Sequence, residues 1–418
     1  MQLSLRSPAK KWAATAAIVV VTAGYCGVAA SRFLADRLAQ SNNESSLRRA
    51  IRLDSGNAEY RYNFGVRQLA LQLPANAAPW LESATRLNFH SARQWIALAV
   101  AKQLLGDPAG ENAAINNALA VDSHTPDIAW QAANLLLAQG RTNDAMNQFR
   151  TVLENDSSLT WPAITTAWKI HPDIDSLLEN VIPPAADIPF LQFLLSNKET
   201  LAAGKVWNRI FSLQQPIERR YLLEYEHYLL NHREVAQASL VWQQASKIAD
   251  IAAYQPSAEN LLVNGDFSLD ILNGGFDWIH QPVGGISVAL DANETHSSSR
   301  SLRILLDGEG ISDAGISQFV SVEPNTRYDF TALYKAREMD GAGAMQFAIH
   351  DAYRSTPLFV SEDLRDADFW KNAGGTFTTP ADTHLVIVHV IRVPAGRPIR
   401  GKLWIDGLRL VQSGTEGK

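Results

Sequence analysis

The side chains best suited to hold a ligand lie late in the chain. From Met345 to His350 apolar and polar residues alternate, Met345, Phe347 and Ile349 against Gln346 and His350. A strand with that pattern buries the first set and presents the second. Tyr353 and Arg354 follow at its end. A ring, a guanidinium and two polar side chains could stack on the C–H face of a sugar and bond its hydroxyls. Trp278, His280, Tyr334, Trp370 and His389 could serve the same chemistry or simply pack.

Catalytic chemistry finds less support. The chain has no G-x-S-x-G elbow, zinc helix, P-loop or dinucleotide fingerprint. His227 and His232 stand five apart and do not share a helix face. The one cysteine, Cys26, lies in an apolar N-terminal stretch, so neither a disulfide nor a thiolate zinc site can form within the chain. Glu362, Asp363, Asp366 and Asp368 read as a solvated acidic loop rather than a glycosidase pair. The protein is therefore expected not to be an enzyme.

The candidate residues belong to a β-rich region. Short alternating runs occur at 287–290, 301–306, 316–322, 328–335, 345–350, 384–392 and 402–410. Turn clusters such as Asn273-Gly274-Gly275, Glu323-Pro324-Asn325 and Gly374-Gly375 separate them, which predicts a β-sandwich of seven or eight strands. The opening Asn260 to Phe267, Gly275 to Trp278, His296 to Ile304, Gln318 to Tyr328 and the closing Trp404 to Leu410 resemble, in that order, carbohydrate-binding modules with the galactose-binding-like jelly roll. The resemblance covers roughly residues 259–412. It implies a polysaccharide ligand and core positions for Trp278, Trp370 and Trp404. That family often carries a structural calcium, for which Asp406 is the matching ligand, although Ser268 replaces the usual early glutamate. No other cofactor is implied.

Ahead of this region a period of 34 residues runs from about residue 41 to 167. Its columns are Leu47, Leu81, Ile115 and Phe149; Ala50, Ala84, Ala118 and Val152; Asp54, Asn88, Asp122 and Asp156; and Gly65, Ala99, Ala133 and Ala167. Gly106 and Gly140 align as turns, while Phe89 stands where a turn residue is usual. Leucine and alanine three apart share one helical face, and small residues allow close helix approach. The pattern, clearest from Trp130 to Ser157, resembles the tetratricopeptide repeat family. That resemblance implies a helical solenoid binding a protein partner, with Tyr60, Tyr62, Trp95 and Trp130 as groove or core residues. Degenerate helices are expected to continue to about 250.

At the N-terminus, Ala13 to Ala30 carries no charge and follows Arg6, Lys10 and Lys11. Eighteen residues just span a bilayer, and the basic flank keeps the N-terminus cytoplasmic. A signal peptide cut before Ser31 is the alternative.

The expected fold class is multidomain α + β: a transmembrane helix, an α-solenoid and a C-terminal antiparallel jelly roll. The expected segments are 1–30 (basic tip and span), 31–251 (repeats), 252–259 (linker), 260–412 (sandwich) and 413–418 (tail). The net charge of −6 gives no ground for a nucleic-acid partner. The expected function is a non-catalytic scaffold anchored in a bacterial inner membrane, with its bulk outside the cytoplasm, binding a protein and a polysaccharide, accessory to exopolysaccharide synthesis or export. The alternatives are a glycan-active enzyme and a purely protein-binding assembly factor.

Overall fold

The structure is a computed structural model that describes residues 8–414 except Asn42, Ser157 and Ser355. Arg6 of the basic flank and Ser157 of the repeat pattern lie outside the described residues. The chain divides into two compact units, 1–193 and 194–418.

In the first unit, α1 (Pro8–Gln40) is long and apolar enough to cross a membrane, with mean hydropathy 1.8 over eighteen residues. A signal sequence has the same character. Antiparallel helices follow: α2 (Glu44–Leu53), α3 (Ala58–Ala70), α4 (Pro74–Leu87), α5 (Ala92–Leu104), α6 (Pro108–Val121), α7 (Pro126–Ala138), α8 (Thr142–Asn155), α9 (Thr160–Ile170), α10 (Ile174–Asn180) and α11 (Asp187–Ser196), which straddles the division between the units. The sequence columns explain the packing. Leu47, Leu81, Ile115 and Phe149, and Ala50, Ala84, Ala118 and Val152, are all fully buried. A β-carbon on Gly65 would sit 2.6 Å from Leu81 Cγ, so only glycine permits that approach of α3 to α4. Asp54, Asn88, Asp122 and Asp156 each cap the end of the preceding helix. Gly106 and Gly140 adopt positive φ, as helix ends of this kind require. The equivalent residue one repeat earlier is Gln72, also at positive φ (58°).

Thirty-four residues before Gly65 stands Ser31, whose hydroxyl donates to Leu53 O at 3.1 Å. Ala35 is fully buried in a cluster with Leu47, Ala50, Ile51, Tyr60 and Phe64, and Leu38 and Ala39 pack against it. The end of α1 is thus the first helix of the array, ahead of the residue 41 start that the periodicity gave.

In the second unit, α12 (Thr200–Ser212), α13 (Arg219–Asn231) and α14 (Val235–Ala245) precede ten strands. The stretch between α14 and the strands is irregular but packed: Trp242 Nε1 donates to Tyr254 O at 2.7 Å, and Tyr254 Oη donates to Asp270 O at 2.9 Å. The strands are β1 (Trp278–His280), β2 (Ile286–Asp291), β3 (Ser301–Ile311), β4 (Asp313–Ser321), β5 (Arg327–Asp340), β6 (Ala344–Asp351), β7 (Pro357–Val360), β8 (Ala367–Thr378), β9 (Leu385–Val393) and β10 (Arg397–Gln412). They form two five-stranded antiparallel sheets, ordered β1-β4-β9-β6-β7 and β2-β3-β10-β5-β8. The inward residues of both sheets, among them Phe267, Trp278, Phe330, Tyr334, Phe347, Val388 and Ile405, make one core. This is the expected antiparallel sandwich.

The sequence missed β1, β7 and β8. Gly374-Gly375, taken as a turn, lies inside β8 opposite Thr331 and Phe330. A β-carbon on Gly374 would strike Phe330 O, so the pair marks close backbone approach rather than a reversal. Two of the three tryptophans also differ from expectation. Trp278 is in the core, but Trp404 alternates with the inward Leu403 and Ile405 and is buried on the opposite face of its sheet. Trp370 is only half-buried, edge-on to His296 at 5.9 Å.

Candidate functional site

The outer face of the β1-β4-β9-β6-β7 sheet carries Gln346 and His350, two of the residues singled out from the sequence. Met345, Phe347 and Ile349 are fully buried, so Gln346 and His350 of β6 face out, as the alternation requires. Antiparallel pairing places Ile391, His389 and Ile387 of β9 beside Gln346, Ala348 and His350. On the far side of β9, Ser317 and Phe319 of β4 stand opposite His389 and Ile387. Directly opposed residues share a face, so three strands present one continuous strip.

His389 is the centre of that strip. Its Nδ1 lies 2.6 Å from Asp313 Oδ2. An ionised carboxylate can only accept, so Nδ1 carries the proton, and in the neutral ring Nε2 is the acceptor. Nε2 is buried and has no hydrogen-bond partner. The His350 ring stands edge-on to His389 at 4.8 Å. Burial, and then His389, depress the His350 pKa, which keeps that ring neutral near pH 7. Gln346 Nε2 donates to Asp363 Oδ1 at 2.9 Å, and its carbonyl end stays available. The strip therefore offers the Gln346 carbonyl to hydroxyl donors above flat apolar ground from Ile387, Ile391 and Phe319, while His389 Nε2 lies beneath the surface.

The four residues singled out from the sequence do not all meet there. Gln346 and His350 share the face. Tyr353 and Arg354 turn away at the end of β6. Tyr353 Oη donates to Leu230 O of α13 at 2.7 Å, and Arg233 lies over its ring at 5.0 Å. Arg354 forms an ion pair with Asp382. Both line a cleft of about 530 Å³ with Arg233, Glu234 and His384. Tyr334 is a core residue, and His280 is half-buried, its amide donating to Asn273 Oδ1 at 2.7 Å. Asp313 and Ser317 were not foreseen. Their signal was available, because β4 alternates buried Ala314, Ile316, Gln318 and Val320 with outward Asp313, Gly315, Ser317 and Phe319.

The opposite sheet carries a second polar cluster on its outer face. Trp404 Nε1 donates to Asp291 Oδ2 at 3.0 Å, and Arg303 Nη1 lies 3.2 Å from the same oxygen. The Trp404 hydrogen bond, with help from Asn293 and Arg303, holds the Asp291 carboxyl below the usual range. Glu294 bridges Lys335 at 2.7 Å and Arg337 at 3.0 Å. These charges satisfy one another, and the cluster leaves less free for a ligand.

Asp406 is fully buried. Its Oδ2 accepts from the amides of His296 and Ser297 at 2.8 Å each, and its Oδ1 accepts from Gly407 at 2.6 Å. Calcium needs six to eight oxygen ligands, several of them carboxylate. Among the described residues no group of three His, Cys, Asp or Glu gathers to hold a metal. The arrangement at Asp406 does not fit that ion: three amides already point at the carboxylate, which ties the 296–297 loop to β10.

In the helical unit, Tyr60 is buried and bonds to Asp36, and burial with that bond pushes its pKa up to about 12. Tyr62 is half-buried beneath Arg93. Trp95 is half-buried and donates to Phe89 O at 2.9 Å, and Trp130 is half-buried 5.7 Å from Phe149.

No protein-family model and no curated protein matches this chain. Among solved structures it is similar to one described as CBM4, at 16% identity over 36% of this chain and 99% of the other, with a TM-score of 0.29. It is similar to MamA at 15% identity over 34% of this chain and 81% of the other, with a TM-score of 0.30. It is also similar to a family 16 carbohydrate-binding module, at 22% identity over 36% and 99%, with a TM-score of 0.27.

Proposed function

We propose that this protein is a non-catalytic scaffold of the bacterial cell envelope. In this reading α1 crosses the inner membrane, residues 31–418 lie outside the cytoplasm, the repeats hold a protein partner, and the sandwich docks on a polysaccharide. The family assignments, tetratricopeptide repeats over 41–170 and a carbohydrate-binding jelly roll over 259–412, are part of the same proposal. The observation that carries the sugar role is the outward strip of Gln346, His350 and His389, with the His389 ring held in place by Asp313 and the Gln346 carbonyl facing out. A sugar hydroxyl is a donor of the right kind for that carbonyl.

The test is calorimetric titration of the full-length protein in detergent with soluble bacterial polysaccharides. Binding that His389→Ala and Gln346→Ala each weaken supports the site. Binding that both variants leave intact moves the site elsewhere, and no binding to any glycan rejects the sugar role in favour of a purely protein-binding assembly factor. Topology is tested separately: a phosphatase fused after residue 250 should be active, and an inactive fusion with an active cytoplasmic reporter at the same position rejects it.

One observation favours an enzyme as the second reading. Ser317 faces the Asp313-held His389 across the β4–β9 pair, a nucleophile–base–carboxylate set in composition. No hydrogen bond joins serine to imidazole, which such a set needs. Covalent labelling of Ser317 by a fluorophosphonate would favour the hydrolase.

A further inference from the structure

Phe89 occupies a turn where the repeat pattern expects a small or polar residue, and it is 59% exposed. It is not alone. Leu53 and Leu87, one repeat apart, are 39% and 44% exposed. Arg52 and Arg86 precede them, also one repeat apart, both exposed and neither in an ion pair among the described residues. In the next repeat the equivalent positions are Ala120 and Val121, and Ser123 replaces Phe89. Exposed apolar residues with an arginine beside them thus form an edge at the first two turns between repeats, whereas the exposed Trp161 after α8 has none adjacent in sequence.

The position of that edge follows from α1. The charge-free stretch of α1 ends at Arg32. Ser31 Oγ donates to Leu53 O at 3.1 Å, and Arg32 Nε lies 3.9 Å from Asp54 Oδ2. The turn after α2 therefore stands level with the point where charges resume. Nothing flexible intervenes, because Ala35, Leu38 and Ala39 pack directly on α2 and α3 and Tyr60 bonds to Asp36. The chain then runs away from that level along α3 and returns along α4, which brings Arg86 to His90 to the same edge as Leu53. Trp95 Nε1 donates to Phe89 O at 2.9 Å and steadies the turn. The opposite edge also exposes leucines, Leu104 and Leu105 among them. It lies a full helix away, about 20 Å for the thirteen residues of α5 at 1.5 Å each.

We propose that this edge rests on the bilayer that α1 crosses, with Leu53, Leu87 and Phe89 in the interfacial layer and Arg52 and Arg86 against lipid phosphates. The proposal rests on α1 being a span. Exposed apolar side chains flanked by arginine, held at the height of the headgroups, match an amphipathic lipid surface in both chemistry and place. The repeat array is then docked on the membrane at two points, the span and the edge, and cannot pivot freely about α1.

The test uses the full-length protein in vesicles that mix phosphatidylglycerol with brominated phosphatidylcholine. The one native cysteine, Cys26, carries a fluorophore within α1. Phe89→Cys and Leu105→Cys, each with Cys26→Ser, carry it at the near and far ends of α5. All three labelled positions are exposed, so labelling leaves the fold intact. Quenching at Cys26 and at Phe89→Cys, several-fold above that at Leu105→Cys, is expected. Adding Arg52→Glu and Arg86→Glu should lower quenching at Phe89→Cys alone. Quenching at Cys26 without quenching at Phe89→Cys overturns the edge contact and leaves the span. No quenching at Cys26 overturns the span itself and the edge contact with it. A disulfide between two unlabelled Phe89→Cys copies in place of quenching would make the edge a contact between copies and overturn the lipid assignment.

Discussion

The two units bury different things. Among the described residues of the first, the core is mostly alanine, leucine and isoleucine at helical spacing, and the buried acidic or basic side chains are Glu111 and Asp187. The second buries Glu226, Asp277, Asp291, Lys335, Asp351, Arg392 and Asp406. The difference follows from architecture. A repeat needs only to stack on its neighbour, and small side chains set the spacing. A sandwich must also hold long loops over its sheet edges, where backbone groups need partners that the sheets cannot supply. Asp406 pins the 296–297 loop, Asp351 takes the Thr383 hydroxyl at 2.6 Å, and Arg392 donates to the carbonyls of Ala342, Ala344, Val393 and Pro398. Shape holds the first unit, and buried charge positions the loops of the second.

The largest expected break is therefore at Arg392. Arg392→Ala empties the site of a buried guanidinium and leaves the buried Ala344 carbonyl and three partly buried ones without that donor, so by analogy with breaking a buried charged network it should destabilise the sandwich by roughly 3–5 kcal/mol. Hydrogen exchange should rise in β6, β9 and β10 while the repeats keep their protection. Equal loss in both units would mean that the contrast is false. The matching break in the first unit is volume. Ala118 is fully buried, and Ala118→Trp should destabilise the array by roughly 1–3 kcal/mol or more through overpacking. An unchanged melting transition would mean that shape does not hold the solenoid.

The same contrast governs what could be read in the sequence. The repeat columns were legible because one stack imposes one period: three of them proved buried, and the fourth, Asp54, Asn88, Asp122 and Asp156, caps helix ends. Gln346 and His350 were legible because strand alternation is equally strict. Gly374-Gly375 was not, since glycine signals a turn and a close backbone approach alike, and only Phe330 O decides between them. Tyr353 looked free because the carbonyl it bonds, Leu230 O, lies 123 residues earlier. Trp404 looked like core because burial among charged side chains on a sheet's outer face and burial between sheets leave the same mark on a residue type.

A finer test uses charge without changing volume. Asp277 is fully buried, its Oδ2 accepts from the Leu272 amide at 2.6 Å and its Oδ1 has no partner. Burial pushes its pKa up to about 7. Between the ordinary value of 3.8 and about 7 the folded state holds the proton more tightly than the unfolded chain. Stability from this group is full below the lower value and is lost as pH rises through the upper. Asp277→Asn should remove that dependence, so the variant gains melting temperature over the parent on going from pH 4 to pH 8. A gap independent of pH would place the proton elsewhere.

The smallest effect is expected where the first unit departs from its own pattern. Gly106 and Gly140 end α5 and α7 with positive φ, and α3 uses Gln72 at φ 58° for the same purpose. A side chain bearing a β-carbon is strained in that region, whereas glycine is not. The neighbouring hydrogen bonds use backbone atoms, Gln72 N donating to Leu69 O at 2.8 Å and Leu73 N to Gln68 O at 2.9 Å, so they survive the change. Glycine also enlarges the unfolded ensemble, which offsets part of the relief. Gln72→Gly should stabilise the repeats by about 0.5–1 kcal/mol net, read as a higher melting temperature. A fall instead would mean that the Gln72 side chain makes a contribution larger than its backbone strain, and that the first turn is not held by the same rule as the two that follow.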